Sequence, residues 1–335
     1  MRDKERIFAY DALKVLAIFL VVFYHARMLD FGYREGVYYY PNLTQLIALF
    51  TACGVPLFFM FNGALTVRRN YDLKTIATKV VRCLFIGYIW GVAMQGVKAI
   101  RYHDLSEFSL FNNYYWFLYA LAILYVVNYL LNKLPHWARC CVVVALLIYP
   151  FINNLIWDFT ALSGNTYGIH WRRSGFFTLY SVVYLYVGDH LAHNYKHLAK
   201  WLIVVAGVIG FGLLAVQATA TVNLTHRPFE GGNFCFPTVG ALLLSIALFV
   251  WGMFWHLKDG WFKRYVSFLA NNTLGIYIFH LLLMAFIGTL FPQIIETDFT
   301  LNPVVVAAIC LIYMTVSAFL SEALRRSKLA FLLKI

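Results

Sequence analysis

"RIFAYDALKVLAIFLVVFYH" (residues 6–25) is an almost unbroken run of apolar residues near the start of the chain, yet it contains Asp11, Lys14 and His25. A helix that spans a membrane needs about 20 mostly apolar residues, so this stretch predicts a transmembrane helix. Ionisable side chains inside a membrane are costly and generally face a cavity, a partner or a pathway. The stretch therefore predicts a membrane protein with a polar site along its first helix.

The rest of the chain repeats this apolar pattern. Of 335 residues, 62% are hydrophobic and 13% are charged, and that charged fraction is about half of what a soluble domain contains. We predict an all-α, polytopic bundle of about ten transmembrane helices that forms a single domain over residues 1–335, without an extra soluble outer domain. The predicted spans are 7–29, 43–66, 80–97, 114–131, 138–157, 175–192, 201–220, 235–256, 269–291 and 302–321.

Basic residues indicate how the chain crosses the membrane. Lys and Arg total 27 and Asp and Glu total 15, an excess that in a soluble protein would suggest nucleic acid binding. Here 19 basic residues fall in the alternate connecting segments that include both termini, and seven fall in the other segments. Because cytoplasmic segments of membrane proteins are enriched in Lys and Arg, we predict that both termini are cytoplasmic and expect no nucleic acid partner.

Neither a cleaved leader nor a metal site is expected. The apolar run at the N-terminus is followed by further spans, and no small-residue cleavage site follows it. The six cysteines lie in or beside predicted spans without the C-x-x-C spacing of zinc and redox sites. We therefore interpret the cysteines as packing residues and predict neither a disulfide framework nor a bound metal.

Lys14 and His25 share one face of the first helix. They are eleven residues apart, which is within about 20° of three full turns and about 16 Å along the helix axis. Asp11 precedes Lys14 by three residues and is placed to pair with it. Taken singly, Lys14 could extend to the membrane interface and His25 could be an ordinary interfacial residue. Taken together, they favour an aqueous or ligand-filled cleft along this helix.

The spacing of Lys14 and His25 resembles the R/K-x10-H signature of the membrane acyltransferase 3 family. Arg6 and Asp11 complete a frame around it. Further segments resemble motifs of that family in the same order, namely "VPLFFMFNGAL" (55–65), "KVVRCLFIGYIWG" (79–91), "YYWFLYAL" (114–121), "NNTLGIYIFHLLL" (271–283) and a degenerate last motif, "SEALRR" (321–326). Within the second motif, Asn62 stands where the family usually has Ser and Ala64 where it often has an aromatic residue. The resemblance covers residues 6 to about 326.

This resemblance implies the transfer of an acyl group, usually acetyl, from cytoplasmic acyl-CoA to a hydroxyl of a cell-envelope glycan or lipid-linked saccharide. It also implies a multi-pass protein of the bacterial cytoplasmic (inner) membrane. Coenzyme A carries a diphosphate and a 3′-phosphate, which need cations at the cytoplasmic end of the cleft. The candidate residues for these contacts are Lys14, Arg68, Arg69, Lys79 and Arg82.

Transfer to a hydroxyl requires a base, and imidazole is suited to this role at neutral pH. His25 is the candidate general base, with an acyl-histidine intermediate as an alternative. Asp11 and His280 are the other candidate catalytic residues, Asp11 as counter-ion of Lys14 and His280 as a supporting imidazole. The candidate substrate-binding residues that could donate to the oxyanion are Tyr115, Trp116, Asn62 and Asn271.

Other functions fit part of the pattern. A charged cleft through a helical bundle also suits a transporter or exporter of a polar solute or glycan, and a non-catalytic assembly factor would need no ligand at all. The outer segments 158–174 and 221–234 contain polar residues that could contact an acceptor or simply be solvated, namely His170, Arg172, Arg173, His226, Arg227 and Glu230. Alignment of a cytoplasmic cation cluster with a histidine favours an enzyme with an anionic donor over a symmetrical transport pathway.

Overall fold

The structure is a computed structural model that describes residues 8–26, 33–34, 37–38, 47, 49–102, 114–162, 179–225, 236–290 and 302–334. Its first helix, α1, is Phe8–His25, and the two-residue strands β1 (Tyr33–Arg34) and β2 (Val37–Tyr38) form an antiparallel pair after it. The helices that follow are α2 (Gly54–Thr66), α3 (Leu73–Tyr102), α4 (Trp116–Leu131), α5 (His136–Leu147), α6 (Asn153–Leu162), α7 (Tyr180–Asn194), α8 (Lys200–Thr225), α9 (Val239–Met253), α10 (Trp261–Asn271), α11 (Thr273–Leu290) and α12 (Pro303–Arg326).

The predicted all-α membrane fold is confirmed. Within the described residues, five helical segments are long and apolar enough to cross a membrane: Phe8–His25, Leu73–Ile100, His136–Trp157, Lys200–Thr219 and Pro303–Arg326. A sixth span results if Trp261–Asn271 and Thr273–Gly288 are counted together, and three shorter apolar helices fall within other predicted spans. The protein is thus a multi-pass membrane protein, while the number of about ten spans stays a prediction.

Helices α9 and α12 begin at residues whose polar side chains cap the first turn. Thr238 Oγ1 accepts a hydrogen bond from the Ala241 amide at the start of α9. At the start of α12, Asn302 Oδ1 accepts one from the Val304 amide, and the intervening Pro303 has no amide hydrogen to satisfy. These caps stabilise the first turns of two apolar helices that otherwise carry few polar groups.

The chain divides into two compact units. Unit 1 comprises Met1–Arg68 and Cys140–Asn271, and unit 2 comprises Arg69–Arg139 and Asn272–Ile335. In unit 1, α2 packs on α7, α8 packs on α9, and α1 lies against α2, α9 and α10. In unit 2, α3 packs on α4 and α11, and α11 packs on α12.

Large aromatic side chains fill the core of unit 1. Phe59 of α2 packs edge-on against Tyr180 of α7, and Phe151 packs against Tyr184 one turn further along α7. All four side chains are almost completely buried. The Tyr184 hydroxyl donates a hydrogen bond of 2.6 Å to the Phe236 carbonyl, so this buried phenol is satisfied. The aromatic core fixes the first half of α7 against α2, whereas Asp189 lies in the second half of α7.

Two glycines allow α2 and α7 to touch backbone to backbone. A Cβ atom added at Gly63 would lie 1.8 Å from the Leu185 carbonyl oxygen, and one added at Gly188 would lie 2.1 Å from the Met60 carbonyl oxygen. Neither position can accept even a methyl group unless the helices separate. The sequence "FNGAL" therefore contains its glycine because α7 crosses α2 at that turn.

Gly63→Ala should destabilise the protein, because the added methyl group meets backbone rather than a mobile side chain. We expect a loss at or above the upper end of the range of about 1–3 kcal/mol that is typical of overpacking. Thermal unfolding in detergent measures the effect. Gly212→Ala is the matched control, since a Cβ atom there meets nothing within 4 Å. Equal melting temperatures for the two variants would contradict the proposed contact.

Candidate functional site

Asp11 and Lys14 lie near the start of α1, each against a different helix of unit 1. The Asp11 carboxylate is 4% exposed and accepts a hydrogen bond of 3.0 Å from the Ser267 hydroxyl of α10. The Lys14 ammonium lies 4.7 Å from the centre of the Phe61 ring of α2, which is within the range of a cation–π contact. The first turns of α1 thus present an ordered carboxylate and an ordered cation.

His25 ends the same helix. It is the last residue of α1, is half-buried, and its ring packs edge-on against Tyr24 with 4.9 Å between ring centres. Because α1 is uninterrupted from Phe8 to His25, the eleven residues between Lys14 and His25 correspond to about 16 Å of helix. The prediction of one continuous helix that carries both residues is confirmed.

Arg68 follows α2 and forms an ion pair with Asp189 of α7. The Arg68 Nε atom lies 3.1 Å from Oδ1 and 3.2 Å from Oδ2 of Asp189. His193, one turn further along α7, lies with Nδ1 2.8 Å from the Asp189 carbonyl oxygen and 3.4 Å from its Oδ1 atom. This cluster was not predicted, although the spacing of two polar residues four apart in "GDHLAH" is a signal for it. Arg68 as a donor-binding residue stays a prediction.

The Asn62 amide is used inside its own helix. Its Nδ2 atom donates a hydrogen bond of 2.8 Å to the Phe58 carbonyl. The main-chain carbonyl oxygen of Asn62 accepts one of 2.7 Å from Thr66 Oγ1. Such local bonds hold the side chain along the surface of α2. A role for Asn62 in binding substrate would need this amide to contact a ligand in addition to Phe58.

A polar cavity lies at the start of α10. It has a volume of about 540 Å³ and is lined by Asp259, Gly260, Lys263, Arg264 and Ser267. The Lys263 ammonium donates a hydrogen bond of 2.6 Å to Asp259, and this contact lowers the pKa of the Asp259 carboxyl. Ser267 connects the cavity to the buried Asp11. Unit 1 therefore has a cation-lined space next to the polar start of α1.

Tyr115 and His280, both in unit 2, bind carbonyls of the same helix. The buried Tyr115 hydroxyl donates a hydrogen bond of 3.0 Å to the Ile278 carbonyl. His280 is fully buried, and its Nδ1 atom lies 2.8 Å from the Ile276 carbonyl oxygen one turn before it. Because a carbonyl oxygen only accepts, Nδ1 is the protonated nitrogen in the neutral ring. Two predicted site residues thus bind main-chain carbonyls of neighbouring residues in α11.

The start of α11 also meets the end of α12. The Ser321 hydroxyl donates a hydrogen bond of 2.8 Å to Asn272 Oδ1, and both side chains are buried. A Cβ atom at Gly275 would lie 2.1 Å from Ser321 Oγ, so only glycine fits beside it. Two of the segments singled out in the sequence, 271–283 and 321–326, therefore contact each other directly.

The chain was compared with known families, curated proteins and solved structures. Residues 7–322 match the family model of the acyltransferase domain that defines the acyltransferase 3 family. The chain belongs to the membrane acyltransferase 3 family. No curated protein matches the chain, and neither does any solved structure. Membership in the family identifies the protein as a membrane-bound acyltransferase.

Three more of the predicted site residues have defined surroundings in unit 2 of this acyltransferase. Arg69 Nη1 donates a hydrogen bond of 3.4 Å to the Tyr71 hydroxyl. Arg82 is exposed on α3, and Trp116 is half-buried at the start of α4 with its ring edge-on to Phe117. Their roles in binding donor or substrate stay predictions.

Some predicted contacts lie outside the described residues. These are Arg6 of the first motif and the outer polar residues His170, Arg172, Arg173, His226, Arg227 and Glu230. Among the described residues, no cluster of three or more His, Cys, Asp or Glu side chains is arranged to hold a metal ion. Asn271 is exposed at the end of α10.

Ser267→Ala should destabilise unit 1, because the Asp11 carboxylate loses a hydrogen bond in a buried position. Hydrogen bonds to charged groups contribute about 1.5–3 kcal/mol, and we expect the lower end since Ser267 is half-buried. Thermal unfolding of the purified acyltransferase measures the loss. Ser267→Thr keeps a hydroxyl at this position and serves as the control. If the alanine and threonine variants unfold at the same temperature, the Ser267–Asp11 bond contributes nothing.

Proposed function

We propose that this acyltransferase moves an acetyl or similar small acyl group from acyl-CoA to a hydroxyl of a cell-envelope glycan or lipid-linked saccharide, in the bacterial inner membrane. One observation carries the proposal: α1 is uninterrupted, with Lys14 ordered against Phe61 near one end and His25 at the other. This helix has the length needed to separate a binding group for phosphate from a reaction centre by about 16 Å. Family membership supports the acyl transfer itself.

The start of α1 supports binding of an anionic donor. The Lys14 ammonium lies over the Phe61 ring, and this contact fixes the position of a cation near the start of α1. Asp11 accepts a hydrogen bond from Ser267, and the cavity beyond Ser267 has Lys263 and Arg264 in its wall. Phosphate groups need such cations, and a thin pantetheine arm could then extend along α1. The donor enters this proposal as acetyl-CoA from the cytoplasmic side.

His25 is the proposed general base. As the hydroxyl oxygen of the acceptor attacks the carbonyl carbon of the thioester, the His25 imidazole accepts the hydroxyl proton. Collapse of the tetrahedral intermediate breaks the carbon–sulfur bond, and the proton passes to the departing coenzyme A thiolate. An ester and a free thiol result, so atoms and charges balance. The half-buried position of His25 at the end of α1 suits an acceptor that arrives from the outer side.

An assay of the purified protein tests the proposal. The acyltransferase is incubated with acetyl-CoA labelled in its acetyl group and with candidate glycans, and the label in the glycan is measured. Label in the glycan together with release of free coenzyme A supports O-acyl transfer. Movement of unmodified glycan or solute across reconstituted vesicles, without release of coenzyme A, would instead support the transporter alternative.

His25→Ala and His25→Gln should abolish acyl transfer while leaving donor binding intact. Loss of a positioned general base lowers the rate by about 10²–10⁴-fold. The transfer assay measures the rate, and calorimetry with coenzyme A measures donor binding. A His25→Ala enzyme with full transfer activity would exclude His25 as the base.

Lys14→Ala should weaken coenzyme A binding, and Lys14→Arg should retain most of it, because the charge is what a phosphate contact requires. Loss of a charge-assisted hydrogen bond costs about 1.5–3 kcal/mol, or about ten- to a hundredfold in affinity. Calorimetry on the purified variants measures the affinity. Unchanged affinity in Lys14→Ala would mean that Lys14 only extends toward the membrane interface.

A further inference from the structure

Unit 2 contains a small polar pocket where α3 begins and α4 ends. Its volume is about 190 Å³, which is less than the roughly 300–1,000 Å³ of sites that enclose a whole drug-sized ligand. The pocket is lined by Arg69, Asn70, Tyr71, Ile76, Asn128, Tyr129, Asn132 and Lys133. Cations, amides and phenols make up nearly all of this lining, and no carboxylate is among it. The size and the lining suit a single anionic group rather than a complete cofactor.

Both lining cations are ordered by neighbouring phenols. The Lys133 ammonium lies 4.5 Å from the centre of the Tyr129 ring. Arg69 Nη1 donates a hydrogen bond of 3.4 Å to the Tyr71 hydroxyl. These contacts hold the long side chains at the pocket without neutralising their charge. Little further ordering of the two side chains is then required when an anion binds.

Two further cations lie directly beside the lining residues. Arg139 Nη1 donates a hydrogen bond of 2.9 Å to Asn132 Oδ1. The Lys79 ammonium lies 5.5 Å from the centre of the Tyr71 ring and 5.0 Å from that of Tyr125. Four cations therefore surround one recess in unit 2.

The recess contains almost no compensating negative charge. Asp72 is the only acidic residue among the described residues from 69 to 139, and its exposed carboxylate accepts a hydrogen bond from the Thr75 amide at the start of α3. Hydrogen bonds from Thr75 lower the pKa of the Asp72 carboxyl, and the positive charge of Lys74 lowers it further, so Asp72 stays charged in its capping role. The carbonyl end of α4 offsets part of the positive charge, but it provides no counter-ion.

A general preference for cytoplasmic cations does not account for this arrangement. That preference requires only that Lys and Arg lie near the membrane surface, where water can solvate them. Here they converge on a recess whose wall includes Asn128, which is 4% exposed, and the amide of Asn132. Amides in the wall of a recess, beside convergent cations, are typical of a site that recognises an anion by hydrogen bonds as well as by charge.

We propose that this pocket binds the phosphate of a phosphate ester, with Arg69 and Lys133 as its charged contacts. Two sources have this chemistry. One is the 3′-phosphate of the coenzyme A donor, in which case the pocket rests on the proposed function and orients the nucleotide. The other is the headgroup phosphate of an anionic phospholipid in the cytoplasmic leaflet. With either source, Lys133 and Arg139 would be binding residues in a segment that none of the family motifs covers.

Calorimetry with coenzyme A and dephospho-coenzyme A tests the first source, since the two differ only in the 3′-phosphate. We expect the full-length wild type to bind coenzyme A about ten- to a hundredfold more tightly. Lys133→Gln should remove most of this difference. Asn132→Asp should also remove it, because it places a negative charge in the pocket while it keeps the side-chain size and an acceptor for Arg139.

Native mass spectrometry tests the second source, with protein from bilayers of phosphatidylglycerol or of neutral phosphatidylcholine. If the ligand is a lipid headgroup, phosphatidylglycerol stays bound to the wild type and is lost from both variants, while coenzyme A and dephospho-coenzyme A bind equally. Lys74→Gln is the matched control, since Lys74 belongs to the same segment but does not line the pocket. It should change neither result.

The proposal is wrong if Lys133→Gln and Asn132→Asp leave both the coenzyme A difference and the lipid binding unchanged. It is also wrong if Lys74→Gln reduces binding as much as they do, because diffuse surface charge would then be the cause. The proposed function fails separately, by absence of acyl transfer in the wild type. These binding measurements require no turnover, so the two failures can be distinguished.

Discussion

The backbones of α2 and α7 are in direct contact at Gly63 and Gly188, and the polar residues of unit 1 depend on that contact. Because no side chain separates the helices there, Arg68 just beyond α2 reaches Asp189 next to Gly188. The turn of α2 that contains Gly63 also presents Phe61 to α1, where the Lys14 ammonium lies over its ring. A single close crossing thus determines the surroundings of two basic candidate residues, Lys14 and Arg68. The glycine of the second motif is best understood as a packing residue.

Two buried carboxylates shape the start of α1 and its neighbours. Asp11 and Asp189 are both nearly inaccessible, and transfer of a carboxylate from water into such a position is unfavourable unless it is paired or hydrogen-bonded. Each obtains a partner from another helix, Asp11 from Ser267 and Asp189 from Arg68. The two carboxylates therefore help to hold the helices of unit 1 together, and the ammonium of Lys14, which is on the same helix as Asp11, lies over the Phe61 ring.

In unit 2, residues of the motif segments form hydrogen bonds with one another. Tyr115 and His280 both bind carbonyl groups of α11, and Asn272 and Ser321 join the start of α11 to the end of α12. These contacts fix the orientation of the His280 ring within its own helix. His280 is therefore a fully buried imidazole that is held by a carbonyl of its own helix. The cation pocket between α3 and α4 is the part of unit 2 most suited to a charged ligand.

The sequence by itself determined the class of fold and the geometry along α1. Apolar stretches of spanning length fix helices in a membrane, because backbone polar groups must be satisfied within each segment. Since the rise and rotation per residue of a helix are constant, the separation of Lys14 and His25 also followed from their spacing alone. The family motifs marked segments that matter, but they did not reveal which residues within them contact one another.

Only the tertiary structure decided the partners. Ser267 and Asp11 are 256 positions apart, Arg68 and Asp189 are 121 apart, and Tyr115 and Ile278 are 163 apart. No local period encodes such pairs, because they depend on which helix faces meet and on how closely the backbones approach. Glycine positions such as Gly63, Gly188 and Gly275 control that approach, and their effect is visible only when the opposing helix is in place. For this reason the sequence predicted where Asp11, Lys14 and His25 lie on α1, and the packing of the other helices decided what surrounds them.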